Sequence, residues 1–247
     1  MMRHWDIWYT EGKASHPFYQ KIIKDGTVPK LEGNPIDLMQ SKEYCSPPVE
    51  NGAEQFSISD DGNLISFSAH AKDNKMAYNT KWDIFIYDIN KGKTKEITAI
   101  EKGRCQNPTF KPGDSENKLA FLCMEHYGLE SDRLSMRIYT PSTENYEKEN
   151  FDINQAVNSF IWDPKGDKQF IYNVVDEGRV KLLSFDFSKT TIEEAYKNLT
   201  SDNNGYDTPI IISDDGNSMV ISYSSFTRAS LIAKLTKDTT TGLFTSK

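Results

Sequence analysis

The 247-residue sequence contains no apolar run approaching the roughly 18 residues that a membrane-spanning helix needs. It also lacks any cluster of Lys and Arg, and its net charge is -7. Nucleic-acid binding draws most of its affinity from such basic clusters, so a nucleic-acid partner is excluded. The sequence therefore predicts a protein with neither a membrane nor a nucleic acid as its partner.

Cysteine and histidine are scarce. The three cysteines, Cys45, Cys105 and Cys123, are odd in number and have no C-x-x-C spacing, which favours buried thiols over a disulfide framework or a zinc site. The four histidines show no i, i+4 pairing, so we expect neither a metal nor a cofactor.

The amino-terminal residues lack the apolar segment of a signal peptide. We expect a cytoplasmic location if the chain is complete, and the compartment of a longer parent protein stays open.

The sequence does contain a repeat. Four units align on a turn glycine: "SISDDGNLISFS", "TFKPGDSENKLAFLC", "IWDPKGDKQFIYNV" and "IISDDGNSMVISYS". Their glycines, Gly62, Gly113, Gly166 and Gly216, are spaced by 51, 53 and 50 residues. Each unit has apolar β-rich segments on both sides of a turn cluster, which predicts a hairpin, and a second hairpin follows the first three units. Four strands in about 50 residues make one antiparallel sheet.

Such sheets bury both faces only when neighbours stack on them, so the repeat predicts an all-β fold, a β-propeller of four-stranded antiparallel blades. No segment sustains helical apolar spacing, which excludes a helical solenoid. The length corresponds to about 4.5 to 5 blades, an incomplete ring. The predicted divisions are a partial blade at 1–40, whole blades at 41–99, 100–153 and 154–200, and a partial or final blade at 201–247.

Three further motifs point to a family. "RHWDIW" (3–8), "AYNTKWDIFIYD" (77–88) and "YGLESDR" (127–133) resemble the blade motifs "RHWDTW", "AWSTNxDIY" and "GFEADR". These belong to the dipeptidyl peptidase V and acylaminoacyl peptidase branch of the prolyl oligopeptidase-family serine peptidases. The inner hairpins also resemble units of that family and of TolB-type propellers. The resemblance covers essentially the whole chain, but only the middle and later part of the family's propeller.

The resemblance implies a non-catalytic propeller that gates and shapes the access of short peptides to an α/β-hydrolase domain of the same parent protein. The chain itself contains no G-x-S-x-G, and the nearest match, "GNSMV" at 216–220, lacks the second glycine. The chain alone is predicted to be inactive, and whether it belongs to an enzyme stays open. Open blade edges would also allow it to form oligomers.

Connections between the second and third strands of each blade vary in length, and variable loops on a regular scaffold often carry binding specificity. Tyr78, Asn79 and Trp82 could present an aromatic wall and an amide to a peptide, or Trp82 could pack between blades. By the resemblance, Glu130 and Arg133 could hold a substrate amino terminus, or form an inter-blade ion-pair network. The remaining motif residues are predicted to be structural: Arg3, His4, Trp5, Asp6, Asp83 and Asp132.

Two alternatives keep the fold without this function: a stand-alone TolB-like propeller that binds proteins, and a truncated product with no activity of its own. One further motif, Asn198-Leu199-Thr200, is an N-glycosylation sequon. Because these residue types are also typical of the end of an outer strand, the sequence alone says little about secretion.

Overall fold

The chain is almost entirely β-sheet. The structure, a computed structural model, describes residues 14–39, 44–48, 52–71, 79–148, 155–200 and 206–246. In these segments no helix is long and apolar enough to cross a membrane. Beside a 3-10 turn at Ala53–Gln55 and a single-turn helix α1 at Ile192–Ala195, the strands are β1 (Phe18–Asp25), β2 (Val28–Asp37), β3 (Tyr44–Cys45), β4 (Phe56–Ile58), β5 (Leu64–Ala71), β6 (Asp83–Asp88), β7 (Lys93–Glu96), β8 (Cys105–Phe110), β9 (Leu119–Cys123), β10 (Ser135–Thr140), β11 (Asn145–Lys148), β12 (Val157–Trp162), β13 (Gln169–Asp176), β14 (Arg179–Asp186), β15 (Tyr196–Asn198), β16 (Tyr206–Ile212), β17 (Ser218–Ser225), β18 (Arg228–Lys237) and β19 (Phe244–Ser246).

The chain divides into two compact units. Unit 1 comprises Met1–Phe110 and Glu116–Asp132, and unit 2 comprises Lys111–Ser115 and Arg133–Lys247. Unit 1 contains the β1–β2 hairpin, the antiparallel sheet β4–β5–β6–β7 and the β8–β9 hairpin. The short strand β3 pairs with the carboxyl-terminal end of β5. Its core includes Phe67 and Phe85, whose rings stack with centroids 5.6 Å apart.

Unit 2 contains the β10–β11 hairpin and two complete four-stranded meanders, β12–β15 and β16–β19. A single parallel pair, Val180 with Tyr206, joins β14 to β16. Side chains from both meanders form one apolar cluster, in which Ile171 and Leu182 of the first lie with Met219 and Leu235 of the second. Four-stranded meanders that pack through apolar cores are the blades that the repeat predicted.

The four marked glycines lie in the turns of the inner hairpins, between β4 and β5, β8 and β9, β12 and β13, and β16 and β17. The first and last of these turns share the sequence Ser-Asp-Asp-Gly-Asn and the same hydrogen bonds. The Gly62 N–H donates to the Ser59 carbonyl at 2.8 Å, and the Gly216 N–H donates to the Ser213 carbonyl at 2.8 Å. Both glycines have positive φ, 70° and 67°, which explains the residue type there. The predicted fold class is confirmed.

Successive inner turns contact one another within each unit. In unit 1 the Asn117 side-chain N–H₂ donates to Asp61 Oδ2 at 3.0 Å. In unit 2 the Lys111 ammonium donates to the Asp167 carbonyl at 2.9 Å. Both pairs are separated by 56 residues, close to the spacing of the repeat. Within each unit, the polar turn residues therefore also make contacts outside their own turn.

The prediction of buried free thiols is wrong for two of the three cysteines. Cys105 of β8 and Cys123 of β9 are direct cross-strand partners, and they form a disulfide with the Cα atoms 4.1 Å apart. The reason is the hairpin register, which brings the two side chains face to face. Cys45 is buried and free. Counting cysteines without using the register therefore missed the bond.

Candidate functional site

Three segments of unit 1 meet at one end of its strands. They are 79–82, which leads into β6, 97–104, which leads into β8, and 124–132, which follows β9. In an antiparallel meander the connections alternate between the two ends, so these three emerge on the same side. Backbone hydrogen bonds join them: the Cys105 N–H donates to the Trp82 carbonyl at 3.0 Å, and the Met124 N–H donates to the Arg104 carbonyl at 2.9 Å.

Arg104 is the centre of this loop cluster. Its guanidinium carbon Cζ lies 4.9 Å from the centroid of the Trp82 ring, a cation-π contact. Burial lowers the pKa of Arg104, and the negative charge of Glu130 acts in the opposite direction. The Arg104 Nε is buried and has no hydrogen-bond partner among the described residues. The site therefore combines a partly desolvated cation, an aromatic face and an exposed carboxylate.

The backbone around Arg104 is fixed by close packing. The Cys105–Cys123 disulfide joins the residue after Arg104 to the residue before Met124. On the other side, a Cβ added at Gly103 would lie 2.5 Å from the Met124 carbonyl oxygen. Only glycine permits this approach without a shift of the backbone. The two constraints hold the 97–104 segment against the beginning of the 124–132 loop.

The 124–132 loop is organised by Asp132. Its Oδ2 accepts the backbone N–H groups of Glu125 at 2.8 Å and His126 at 2.7 Å, and its Oδ1 lies 3.1 Å from His126 Nδ1. A carboxylate that accepts two successive N–H groups closes the loop on itself. Asp132 thereby positions the loop that carries Glu130.

Asp83, predicted to be structural, is 7% exposed at the start of β6. Its Oδ1 accepts the Thr98 hydroxyl at 3.0 Å and forms an ion pair with the Lys81 ammonium at 2.7 Å. Thr98 Oγ1 in turn accepts the Ile84 N–H at 2.9 Å. These bonds connect the 79–82 and 97–104 segments beneath the cluster.

The structure brings together only some of the candidate residues. The Trp82 ring contacts Arg104, and the negative charge of Glu130 acts on the same side chain. Asn79 is half-buried, and its side-chain oxygen accepts the Lys81 N–H at 2.8 Å, a local turn contact. Arg133 is half-buried and belongs to unit 2. The other candidates lie outside the described residues: Arg3, His4, Trp5, Asp6 and Tyr78.

Comparison with known proteins gives no matching family model. The chain is 31% identical over 171 residues to dipeptidyl-peptidase 5 of Porphyromonas gingivalis, which covers 67% of the chain and 24% of that protein. It is 26% identical over 199 residues to dipeptidyl-peptidase 5 of Aspergillus fumigatus, covering 74% of the chain and 27% of the relative. The chain is related to the propellers of prolyl oligopeptidase-family peptidases. It spans about a quarter of the length of these curated relatives.

Solved structures agree with this family at the level of the fold. A puromycin-hydrolysing peptidase of Mycobacterium tuberculosis matches with a TM-score of 0.54 and 12% identity, over 92% of the chain and 35% of that protein. A putative dipeptidyl aminopeptidase IV of Bacteroides ovatus matches with a TM-score of 0.52 and 10% identity, over 94% of the chain and 36% of that protein. At these identities the likeness establishes the β-propeller architecture alone.

Proposed function

We propose that the chain is the propeller portion of a dipeptidyl or acylaminoacyl peptidase, and that its loop cluster contacts short peptides on their way to an α/β-hydrolase domain outside the chain. The relatives named dipeptidyl-peptidase 5 support the peptidase context. The arrangement of Trp82, Arg104 and Glu130 supports the peptide contact. This arrangement is the single observation that carries the proposal.

The chemistry of the cluster matches a short peptide with a free amino terminus. Such a peptide carries an ammonium group, backbone carbonyls and apolar side chains within a few ångströms. Glu130 supplies a carboxylate for the ammonium, and the guanidinium of Arg104 supplies N–H donors for a carbonyl oxygen. Trp82 supplies an apolar face beside them. Gating follows, because peptides that leave the partly desolvated guanidinium of Arg104 without a partner bind less well.

The test uses the full-length parent protein and a fluorogenic dipeptide substrate. Glu130→Gln is expected to raise KM about tenfold with little change in kcat, because truncating a charged hydrogen bond costs about 1.5 to 3 kcal/mol. Arg104→Lys keeps the charge but loses the planar contact with Trp82, and is expected to raise KM as well. Glu193→Gln removes an exposed carboxylate of α1 in unit 2 and serves as the matched control.

A second measurement separates a contact with the ammonium from a structural effect. Competitive inhibition by a free dipeptide should weaken in Glu130→Gln, whereas inhibition by its N-acetylated form should not. Equal weakening of both inhibitors would contradict the role of Glu130. Absence of any dipeptide hydrolysis by the full-length protein would contradict the peptidase assignment and favour a stand-alone binding propeller.

A further inference from the structure

The outer strand β15 carries a chemical motif that the proposed function does not use. Asn198-Leu199-Thr200 is the one Asn-x-Ser/Thr sequence, with x other than proline, in the 247 residues. Asn107-Pro108-Thr109 has the same outer residues, but its proline disqualifies it. A sequon alone is weak evidence for glycosylation. Whether a glycan can be attached at Asn198 depends on where this residue lies in the fold.

Asn198 lies at the end of β15, the outer strand of the first meander of unit 2. In the described part of the chain, β15 pairs only with β14, and Asn198 stands opposite Leu183. Asn198 is exposed, whereas the next two residues, Leu199 and Thr200, are buried at 8% and 6% exposure. The asparagine therefore projects outward from a strand end that is anchored by its neighbours.

The hydrogen bonding of the Asn198 side chain also suits attachment. Its Oδ1 accepts the Thr200 backbone N–H at 3.2 Å, which orients the carboxamide. Its Nδ2, the atom that would carry the sugar, donates no hydrogen bond to any described residue. A sugar on Nδ2 thus displaces no internal contact.

Asn198 also borders an open space. It lines a cavity of about 460 Å³ within unit 2, whose wall also includes Lys197, Lys237 and Thr241. These side chains offer donors and acceptors to the hydroxyl groups of a first sugar residue. An exposed asparagine at the border of such a cavity leaves room for a first sugar.

The chemical environment of the chain points the same way. The Cys105–Cys123 disulfide is of a kind that forms and persists in oxidising compartments. N-glycosylation takes place in such a compartment. The disulfide of unit 1 is therefore consistent with glycosylation of the sequon in unit 2.

From these observations we propose that Asn198 is an N-glycosylation site. The co-reactant is a lipid-linked oligosaccharide pyrophosphate. The Asn198 Nδ2 attacks the anomeric carbon, the N–C bond forms, the C–O bond to the pyrophosphate breaks with its electron pair, and Nδ2 loses one proton.

The deciding experiment is peptide mapping of the protein from its native source. Treatment with peptide N-glycosidase in heavy-oxygen water should convert Asn198 to labelled aspartate. Recovery of the peptide with unmodified, unlabelled Asn198 as its main form would overturn the proposal. The same treatment should leave Asn107 unlabelled, since the proline blocks its motif.

Variants made in a eukaryotic secretory host test the dependence on the sequon. Asn198→Gln and Thr200→Val should each abolish the glycosidase-sensitive shift on a gel, and Thr200→Ser should retain it. Asn145→Gln changes an asparagine outside any sequon and should have no effect. Circular dichroism of the bacterially made, glycan-free Asn198→Gln chain checks that the fold persists. A shift that survives Asn198→Gln would also overturn the proposal.

Discussion

At the scale of single residues, the candidate site depends on one side chain that the sequence did not reveal. Trp82 was predicted because it lies in a loop of variable length, and Glu130 because of the resemblance to the peptidase family. Arg104 was missed because it directly precedes β8 and belongs to none of the motifs. Its partners come from segments 22 and 26 residues away, so only the fold brings them together. One sequence feature could have indicated Arg104: its position directly before Cys105, a cysteine of an inner hairpin.

Single residues also explain why the two Ser-Asp-Asp-Gly-Asn turns are alike. The hydrogen bond from the Ser213 hydroxyl, followed by the Asn217 backbone N–H, lowers the pKa of Asp215 to about 2. The Ser59 hydroxyl, the Asn63 backbone N–H and the Asn117 side chain hold the pKa of Asp61 well below its usual range. The bonds from the serine hydroxyl and the asparagine N–H stabilise the ionised form in both turns, and Asn117 adds a further bond at Asp61.

These shifts predict a loss of stability in acid. A folded-state pKa below the unfolded value of about 3.9 stabilises the fold at higher pH, and this contribution decreases as the pH falls below about 4 and is lost as the pH falls through the folded-state pKa. Asp61→Asn should therefore lower the free energy of unfolding at pH 7 by about 0.5 kcal/mol, a value discounted for solvent exposure, and should have a smaller effect near pH 2. Urea titrations at both pH values measure the difference. Asp214→Asn, an exposed aspartate next to Asp215 in the other turn, is the control, and an equal effect of both variants at pH 7 would refute the argument.

At the scale of the element, the β8–β9 hairpin shows how far a sequence can predict a disulfide. The predicted turn at Gly113 places Cys105 and Cys123 at about equal distances from it on opposite strands, and therefore close together. The register next to the turn would bring Cys105 opposite Met124, and an irregularity between residues 106 and 109 shifts it so that Cys105 pairs with Cys123. The turn thus predicts that the cysteines are near each other, whereas the pairing itself depends on a register shift that the sequence did not reveal. The close approach of Gly103 to Met124 had no comparable signal, because it depends on packing between segments.

Gly103 gives a prediction for this element. Gly103→Ala places a Cβ 2.5 Å from the Met124 carbonyl oxygen, so either segment 97–104 or the 124–132 loop must shift. We expect the variant to lose about 1 to 3 kcal/mol in the free energy of unfolding, typical of overpacking. Because the shift displaces Arg104 from Glu130, KM for dipeptides should also rise in the full-length protein.

The control for Gly103→Ala is Gly52→Ala. A Cβ there meets only the mobile end of the Glu54 side chain, at 3.3 Å, so the strain is small. Urea unfolding should separate the two variants clearly. Similar midpoints for both would mean that the contact between Gly103 and Met124 is not a constraint on the site.

At the scale of the whole molecule, the periodicity predicted the β-propeller class and the inner hairpins. The limits of the predicted blades remain predictions. The division into two units was not foreseen, and it falls inside the predicted blade 100–153. A sequence repeat predicts the strands and turns within each sheet. Which sheets pack together into a compact unit depends on contacts between sheets, and the length of the repeat does not specify these contacts.

Exposed apolar side chains are concentrated in the first and last sheets. Of the fifteen large hydrophobic residues exposed in the described segments, nine lie in the β1–β2 hairpin or in β16–β19 and its turns. Ile22 and Leu31, each 65% exposed, are cross-strand partners on one face of β1–β2. Apolar faces of this kind normally stack on another sheet. The 247-residue chain studied alone should therefore associate with itself through these faces.

Sedimentation velocity of the isolated chain over a range of concentrations measures this association. The wild-type chain should form dimers or larger species, and the double variant Ile22→Lys, Leu31→Lys should shift the distribution towards the monomer, because burying two ammonium groups opposes stacking. The matched control is Ile58→Lys, Ile100→Lys, whose residues are 62% and 66% exposed outside the two end sheets. If the control double variant dissociates the chain as strongly, or if the wild type is monomeric at every concentration, then the exposed faces of β1–β2 and β16–β19 are not sites of association.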